Sequence, residues 1–317
     1  NMSDIKLFQL KGNSVTELAG HAVKLEKDLQ FHVESNMEVL LGVRFLATEY
    51  GTGKTHKGRV DSLGLDENGC PVIVEYKRHS NENVINQGLF YLDWLLDHQA
   101  EFKLLVMEQI GREVAESIEW GGTRLICIAS DFNKYDEHAV QQINRNIELM
   151  RYRYFGSELL LLELVNAQTA SGSLIPTASA TQAKRPAKVS SRKAGKSSGD
   201  KSQQERLELA SPELLKLYDT VCSYIEQLGD EVQRKELKLY TAFKRIRNFV
   251  SVLVMPGKDT RLVMYLKLPG SLGEENSFSR DMSSIGHWGT GDLEVNIRTA
   301  EDWDRARQLV DQAYQQS

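Results

Sequence analysis

The apolar positions Val23, Leu25, Leu29 and Val33 recur at helical spacing, with Glu26, Lys27 and Glu34 on the other faces. That pattern predicts an amphipathic helix over 20–35. Two short β-branched or apolar runs follow, 60–65 and 72–77, separated by Asp66-Glu67-Asn68-Gly69, which is the chemistry of a hairpin turn. Beyond them the pattern predicts a helix over 83–98, a strand over 123–129, a helix over 137–151 and a strand over 159–165. This order implies an α+β unit with a central mixed sheet flanked by helices.

After Ile175 large apolar residues nearly vanish, and Gln168 to Lys201 reads as Ser, Ala, Thr, Lys and Arg. Such a stretch cannot bury enough surface to offset its ordering entropy, so 166–207 is expected to be a flexible linker. The apolar pattern then resumes. It predicts helices over 212–228 and 237–246, strands over 249–255, 261–268 and 293–297, and a closing helix capped by Thr299 with Asp302. The expected organisation is an α+β domain over 1–165, the linker over 166–207 and a second small α+β domain over 208–317.

With 317 residues, 41% apolar and 26% charged, the chain has ordinary globular composition and room for two domains. Its net charge of −5 hides a split: 17 Lys and Arg against 25 Asp and Glu in 1–165, 8 against 2 in 166–207, and 14 against 17 in 208–317. The basic middle block reads either as a solubilising tether or as a sliding contact with phosphates. No apolar stretch approaches the roughly 18 residues of a membrane span. The start of the chain carries no basic-then-apolar leader, and Asn1 before Met2 reads as a cloning remnant, so a cytoplasmic location is expected. Cys70, Cys127 and Cys222 are odd in number and lack CxxC spacing, and the seven histidines show no ligand spacing, which argues against disulfides and zinc.

The chemistry concentrates in Gly58-Arg59-Val60-Asp61, then Glu75-Tyr76-Lys77, then Gln87 and Tyr91. On a strand Glu75 and Lys77 share a face. If Asp61 stands alongside, two carboxylates converge as oxygen ligands for a hard cation such as Mg²⁺ or Mn²⁺, and Lys77 flanks the attacking water. Sharing a face requires a register in which paired numbers sum to 136, hence a three-residue loop 67–69 with Gly69 left-handed. A two-residue turn would throw Asp61 to the other face. Each element has a plainer reading: Glu-x-Lys is often a solvated strand edge, and Gln87 with Tyr91 could be a hydrogen-bonded helix surface. Gly51-Thr-Gly-Lys-Thr55 is not a phosphate loop, since Thr48 stands where glycine is needed and a strand is expected after it. The basic residues Lys235, Lys238, Lys244, Arg245 and Arg247 cluster ahead of Phe249, which with Tyr265 is expected in a core.

These residues resemble the PD-(D/E)xK nucleases, with Asp61 as the motif aspartate and Glu75-Tyr76-Lys77 as the (D/E)xK element. The match is closer to the NucS (EndoMS) type, whose GxxD…ExKR pattern is similar to Gly58–Asp61 and Glu75–Arg78, while Gln87 to Tyr91 resembles the QxxxY element of RecB-type domains. The resemblance covers roughly 20–165 and implies a restriction-endonuclease-like fold with catalytic Asp61, Glu75, Lys77 and Gln87. It further implies metal ligation by Asp61 and Glu75, and a helical glutamate, Glu26 with Glu34 second. Glu49 resembles a further family position. Arg59, Arg78 and Tyr91, with Lys184 and Arg185 in the basic block, are the candidate DNA contacts. NucS-type enzymes carry an N-terminal β-rich domain, whereas about 20 residues precede the first helix here, so mismatch specificity is not implied. The C-terminal unit resembles an uncharacterised bacterial family found beside such nuclease domains and sometimes labelled a transport protein. The implied function is a Mg²⁺- or Mn²⁺-dependent DNA endonuclease acting in repair or defence, with a homodimer among the open oligomeric states. The alternatives are a non-catalytic nucleic-acid-binding module on the same fold and a regulatory protein unrelated to nucleic acid.

Overall fold

A computed structural model describes residues 5–53, 57–78, 82–170, 201–285 and 290–317. The first sheet is built on the hairpin of β5 (Arg59–Asp66) and β6 (Pro71–Tyr76). These strands pair antiparallel as Ser62↔Val74, Leu63↔Ile73, Gly64↔Val72 and Leu65↔Pro71, so every pair sums to 136, the register expected. Gly69 has φ +74°, the left-handed conformation glycine adopts without a Cβ penalty. The Asp66 carboxylate accepts from the N–H groups of Asn68 and Cys70 at 2.8 and 2.9 Å and fixes the turn.

Around the hairpin the strand order is β3 (Gly20–His21), β8 (Asn146–Phe155), β7 (Arg124–Ala129), β6, β5, β4 (Val43–Gly51), with β9 (Leu159–Gln168) also paired to β8. β6, β7 and β8 are parallel and the other pairs antiparallel. On one face α1 (Glu26–Ser35) buries Leu29 and Val33 against Val72, Val74, Tyr76, Ile126 and Ile128. On the other, α3 (Glu82–Asp97) buries Val84, Leu92 and Leu95 against Leu63, Ile73, Leu125 and Cys127. Between these helices in sequence lies α2 (Met37–Leu41), and α4 (Gln99–Gln109), α5 (Arg112–Glu116) and α6 (Lys134–Gln141) follow α3. β1 (Leu7–Lys11) and β2 (Ser14–Leu18) form a separate hairpin.

The second sheet has the order β10 (Gln233–Glu236), β11 (Thr241–Lys244), β12 (Asn248–Met255), β13 (Arg261–Leu266), β15 (Leu293–Ile297), β14 (Ser279–Asp281). The helices α8 (Pro212–Glu226) and α9 (Ala300–Gln315) cover one face, with Tyr218, Val221, Ile225, Trp303 and Val310 in its core. Thr299 and Asp302 form the expected capping box of α9. Phe249 and Tyr265 are buried, as expected. Among the described residues no helix is long and apolar enough to cross a membrane.

Several elements differ from expectation. Residues 20–21 are a strand, and α1 starts only at Glu26. The helix expected over 137–151 ends at Gln141, because β8 lies between β7 and β9 with both faces covered. A strand apolar on both faces loses the alternation that distinguishes it from a helix. The helix expected over 237–246 is instead β11 and its turn: Tyr240 and Ala242 enter one core and Phe243 the other, which is strand alternation. β9 reaches Gln168 and α7 (Gln203–Glu208) begins inside the expected linker. Residues 171–200 lie outside the described residues.

Candidate active site

Asp61 sits near the start of β5 and Glu75 near the end of β6. Where the next ladder bonds would fall, side chains take over. The Asp61 N–H donates to Glu75 Oε1 at 3.2 Å, and the Tyr76 N–H donates to Asp61 Oδ2 at 3.0 Å. The two carboxylates therefore meet, as the register required. Glu75 is fully buried and its Oε2 has no hydrogen-bond partner. Burial first, and the Asp61 charge second, push Glu75 up to about 9. Asp61 is raised too, chiefly by burial; the Tyr76 N–H and Lys77 oppose this, while Glu49 and Glu26 add to it.

Lys77 follows β6 directly, and its N–H donates to the Ile128 carbonyl on the parallel neighbour β7. Its ammonium lies 3.4 Å from Glu26 Oε2 at the first turn of α1. Glu26 thus reaches the site through Lys77. Glu34, the second candidate, turns away: it accepts from Ser62 Oγ at 2.6 Å and from Gln30 Nε2 at 3.0 Å.

Gln30 is a residue that sequence reasoning missed. Its amide donates to the Asp61 carbonyl at 2.9 Å, and also to Thr48 Oγ1 and Glu34. Ser62 Oγ and the Tyr76 hydroxyl lie 3.0 Å apart and complete the network. It ties α1 to β4, β5 and β6 beneath the carboxylates. Glu26, Gln30 and Glu34 stand at i, i+4 and i+8, a polar stripe on one face of a core-packed helix, and that stripe was a legible signal.

Gln87 bonds along its own helix. Its Nε2 donates to the Tyr91 hydroxyl at 3.2 Å, and that hydroxyl accepts from the Arg59 N–H at 3.3 Å. The pair therefore fixes the entry to β5, two residues before Asp61. Tyr91 is 5% exposed, and its ring packs against Gly58, where a Cβ would come within 2.5 Å of it. Arg59 is exposed and pairs with Glu49 at 3.0 Å, and the Arg78 side chain is exposed. Lys184 and Arg185 lie outside the described residues.

Among the described residues no group of three or more His, Cys, Asp or Glu side chains is placed to hold a metal ion. The donor set is the Asp61–Glu75 pair, and the buried, partnerless Glu75 Oε2 is an oxygen suited to a hard cation.

Residues 205–317 match a family described as a domain of unknown function, DUF5655. An uncharacterised protein of Haemophilus influenzae is 27% identical over 314 residues, covering 98% of this chain and 99% of its own. Among solved structures, a repair endonuclease from Pyrococcus abyssi is similar at 20% identity and a TM-score of 0.28. That match covers 43% of this chain and spans only half of the archaeal chain. A complex of EndoMS with double-stranded DNA is similar at 16% identity and a TM-score of 0.24, over 46% of this chain and 64% of that one.

Proposed function

We propose that this chain is a divalent-metal-dependent DNA endonuclease whose reacting groups are Asp61, Glu75 and Lys77. The observation that carries the reading is the meeting of the two carboxylates across the hairpin, one with a buried oxygen lacking any partner, beside an ammonium at the strand end. Burying two carboxylates together is unfavourable unless they are protonated or neutralised, so the arrangement gains from a divalent cation. Mg²⁺ or Mn²⁺ held by Asp61 and Glu75 would polarise a phosphoryl oxygen and offset the charge that builds up in hydrolysis.

The remaining work falls to the protein's own groups. Lys77 can hold the attacking water in line with phosphorus or stabilise the developing oxyanion, and its donors are free to do so once they exchange Glu26 for substrate. Glu26 orients Lys77 in the meantime. Gln30 holds the Asp61 backbone, and Tyr91 with Gln87 holds Arg59, so the strand that carries Asp61 is fixed from both sides of the sheet. Such fixing limits the reorganisation needed at reaction. The DNA substrate is supported by the ordered D…ExK pattern and by the basic block over 166–207.

The test is a panel of duplex, mismatched, branched and single-stranded DNAs incubated with Mg²⁺ or Mn²⁺. Cleavage that EDTA abolishes supports the enzyme. Salt-sensitive binding without turnover would instead mark a non-catalytic module, and no DNA binding at all would remove both readings.

A further inference from the structure

At the end of the first sheet remote from Asp61, the two sheets enclose a cavity of about 280 Å³. Its walls carry more positive than negative charge. Arg124, 3% exposed, donates to Glu148 Oε1 at 2.5 Å and stands 3.2 Å from Asp66 Oδ2. From the second sheet Lys244, 2% exposed, reaches the same Glu148 oxygen at 2.6 Å. Glu148 and Asp66 thus neutralise Arg124 and Lys244. Arg234 and Glu236 at the rim neutralise each other at 2.6 Å. Lys235 is left over. Among the described residues its ammonium has one hydrogen-bond partner, the neutral Thr169 hydroxyl at 2.8 Å. Burial, then repulsion from Lys244, push Lys235 down to about 8; Glu148 opposes this and Arg124 adds to it. A partly exposed ammonium with two donors to spare, facing two buried cations, lacks a counter-ion.

We propose that this cavity binds a small phosphate-class anion, with Lys235, whose charge the neighbouring acids leave uncompensated, as its principal ligand. Size selects the class: sites for drug-sized ligands start at about 300 Å³, so the space suits a phosphate or a small phosphomonoester with a few waters. Charge-assisted bonds from an ammonium to phosphate oxygens are the strong kind. The bound anion would bridge Thr169 and Arg124, on the first sheet's side, to Lys235 and Lys244 on the second, so it would stabilise their contact. The site is separate from the carboxylate pair, and the inference does not rest on the nuclease reading.

The experiment uses the full chain in EDTA, so that phosphate cannot bridge to a divalent ion. Calorimetry and thermal melting are run with inorganic phosphate and, in a second arm, glycerol phosphate, against sodium chloride at matched ionic strength. Saturable binding with a rise in Tm is expected, linked as stability rises with ligand occupancy. Lys235→Gln should weaken affinity about tenfold or more, the loss of a charged hydrogen bond, while Lys77→Gln leaves it intact. Tighter binding of glycerol phosphate identifies an organic phosphate as the natural occupant, and equal or weaker binding identifies the inorganic ion. No phosphate-specific binding, or binding unchanged in Lys235→Gln, overturns the proposal.

Discussion

The backbone N–H of Asp61 is bonded to the side chain of Glu75, at 3.2 Å. The strand pair thus gives up a ladder bond at the point where its two acidic residues meet, and each carboxylate is oriented by main-chain N–H groups of the hairpin itself. Replacing either acid by alanine should abolish cleavage and weaken Mg²⁺ or Mn²⁺ binding. Lys77→Ala should leave metal binding intact or slightly stronger while cleavage falls by orders of magnitude. Calorimetric titration beside single-turnover assays separates the outcomes, and full activity in Lys77→Ala would contradict the roles assigned.

Gln30 acts at one remove from the site. Gln30→Leu leaves the Asp61 carbonyl and Thr48 Oγ1 without the amide they share, at a cost of about 1–3 kcal/mol for buried unpaired groups. Gln30→Glu fills the same space, but its carboxylate cannot donate to the Asp61 carbonyl and repels Glu34, so cleavage should fall in both variants by more than the loss of stability accounts for. Denaturant melts and cleavage rates on both variants give the comparison; native-like cleavage by the folded fraction of either variant would reduce Gln30 to a structural role.

Gly58 is where the Tyr91 ring crosses the chain. Gly58→Ala places a methyl within 2.5 Å of that ring, and the expected loss is about 1–3 kcal/mol, typical of overpacking. Tyr91→Phe removes the hydroxyl that accepts from the Arg59 N–H and from Gln87 Nε2, and because the half-buried Gln87 amide can turn to water, about 0.5–1.5 kcal/mol is expected. Chemical denaturation of the two proteins should rank them in that order.

Glu148 gives a pH test. Burial alone would raise its carboxyl, but Arg124 and Lys244 hold it down at about 2, against an ordinary 4.5. A depressed folded pKa contributes stability that is fully present above the unfolded value and is lost as pH falls through the folded one. The stability difference between the native chain and Glu148→Gln should therefore be constant from pH 7 to about 5 and shrink between about pH 4.5 and 2. A gap that persists at low pH would mean that the charge is not its source.

The basic block bears on salt dependence. If it contacts phosphates, each engaged cation contributes about 0.9 to the slope of log K against log salt on duplex DNA. Neutralising Lys184, Arg185, Lys188, Arg192, Lys193 and Lys196 together should flatten the slope without altering any products. An unchanged slope would mark the segment as a tether.

The hairpin register was legible because parity and turn chemistry agree: Asp66-Glu67-Asn68-Gly69 can close a three-residue loop, and Gly69 adopts the required φ of +74°. Those two facts fix which face Asp61 and Glu75 share. β8 was illegible for the opposite reason, since Ile147, Leu149, Met150 and Tyr152 are buried on two faces and such a run fits either period. Gln30 was passed over because the polar stripe it shares with Glu26 and Glu34 reads like any solvated helix face; that it is buried, and what it bonds, is set by tertiary contact. Lys244 read as one member of a basic cluster, and only its placement against Glu148, far away in sequence, shows it to be buried.

The tip of a hairpin is ordinarily where a chain accepts extra residues at little cost. Here the tip is enclosed: Asn68 takes bonds from Tyr240 and Asn248, and Glu67 takes bonds from the Asn248 N–H and Lys267. An added residue in the turn would shift the pairing sum, swing Asp61 to the far side of the sheet and pull four polar groups out of register with the second sheet in one event. An insertion is therefore better borne by other loops, and the three residues between Asp66 and Cys70 are constrained in number by the pairing and by the second sheet together.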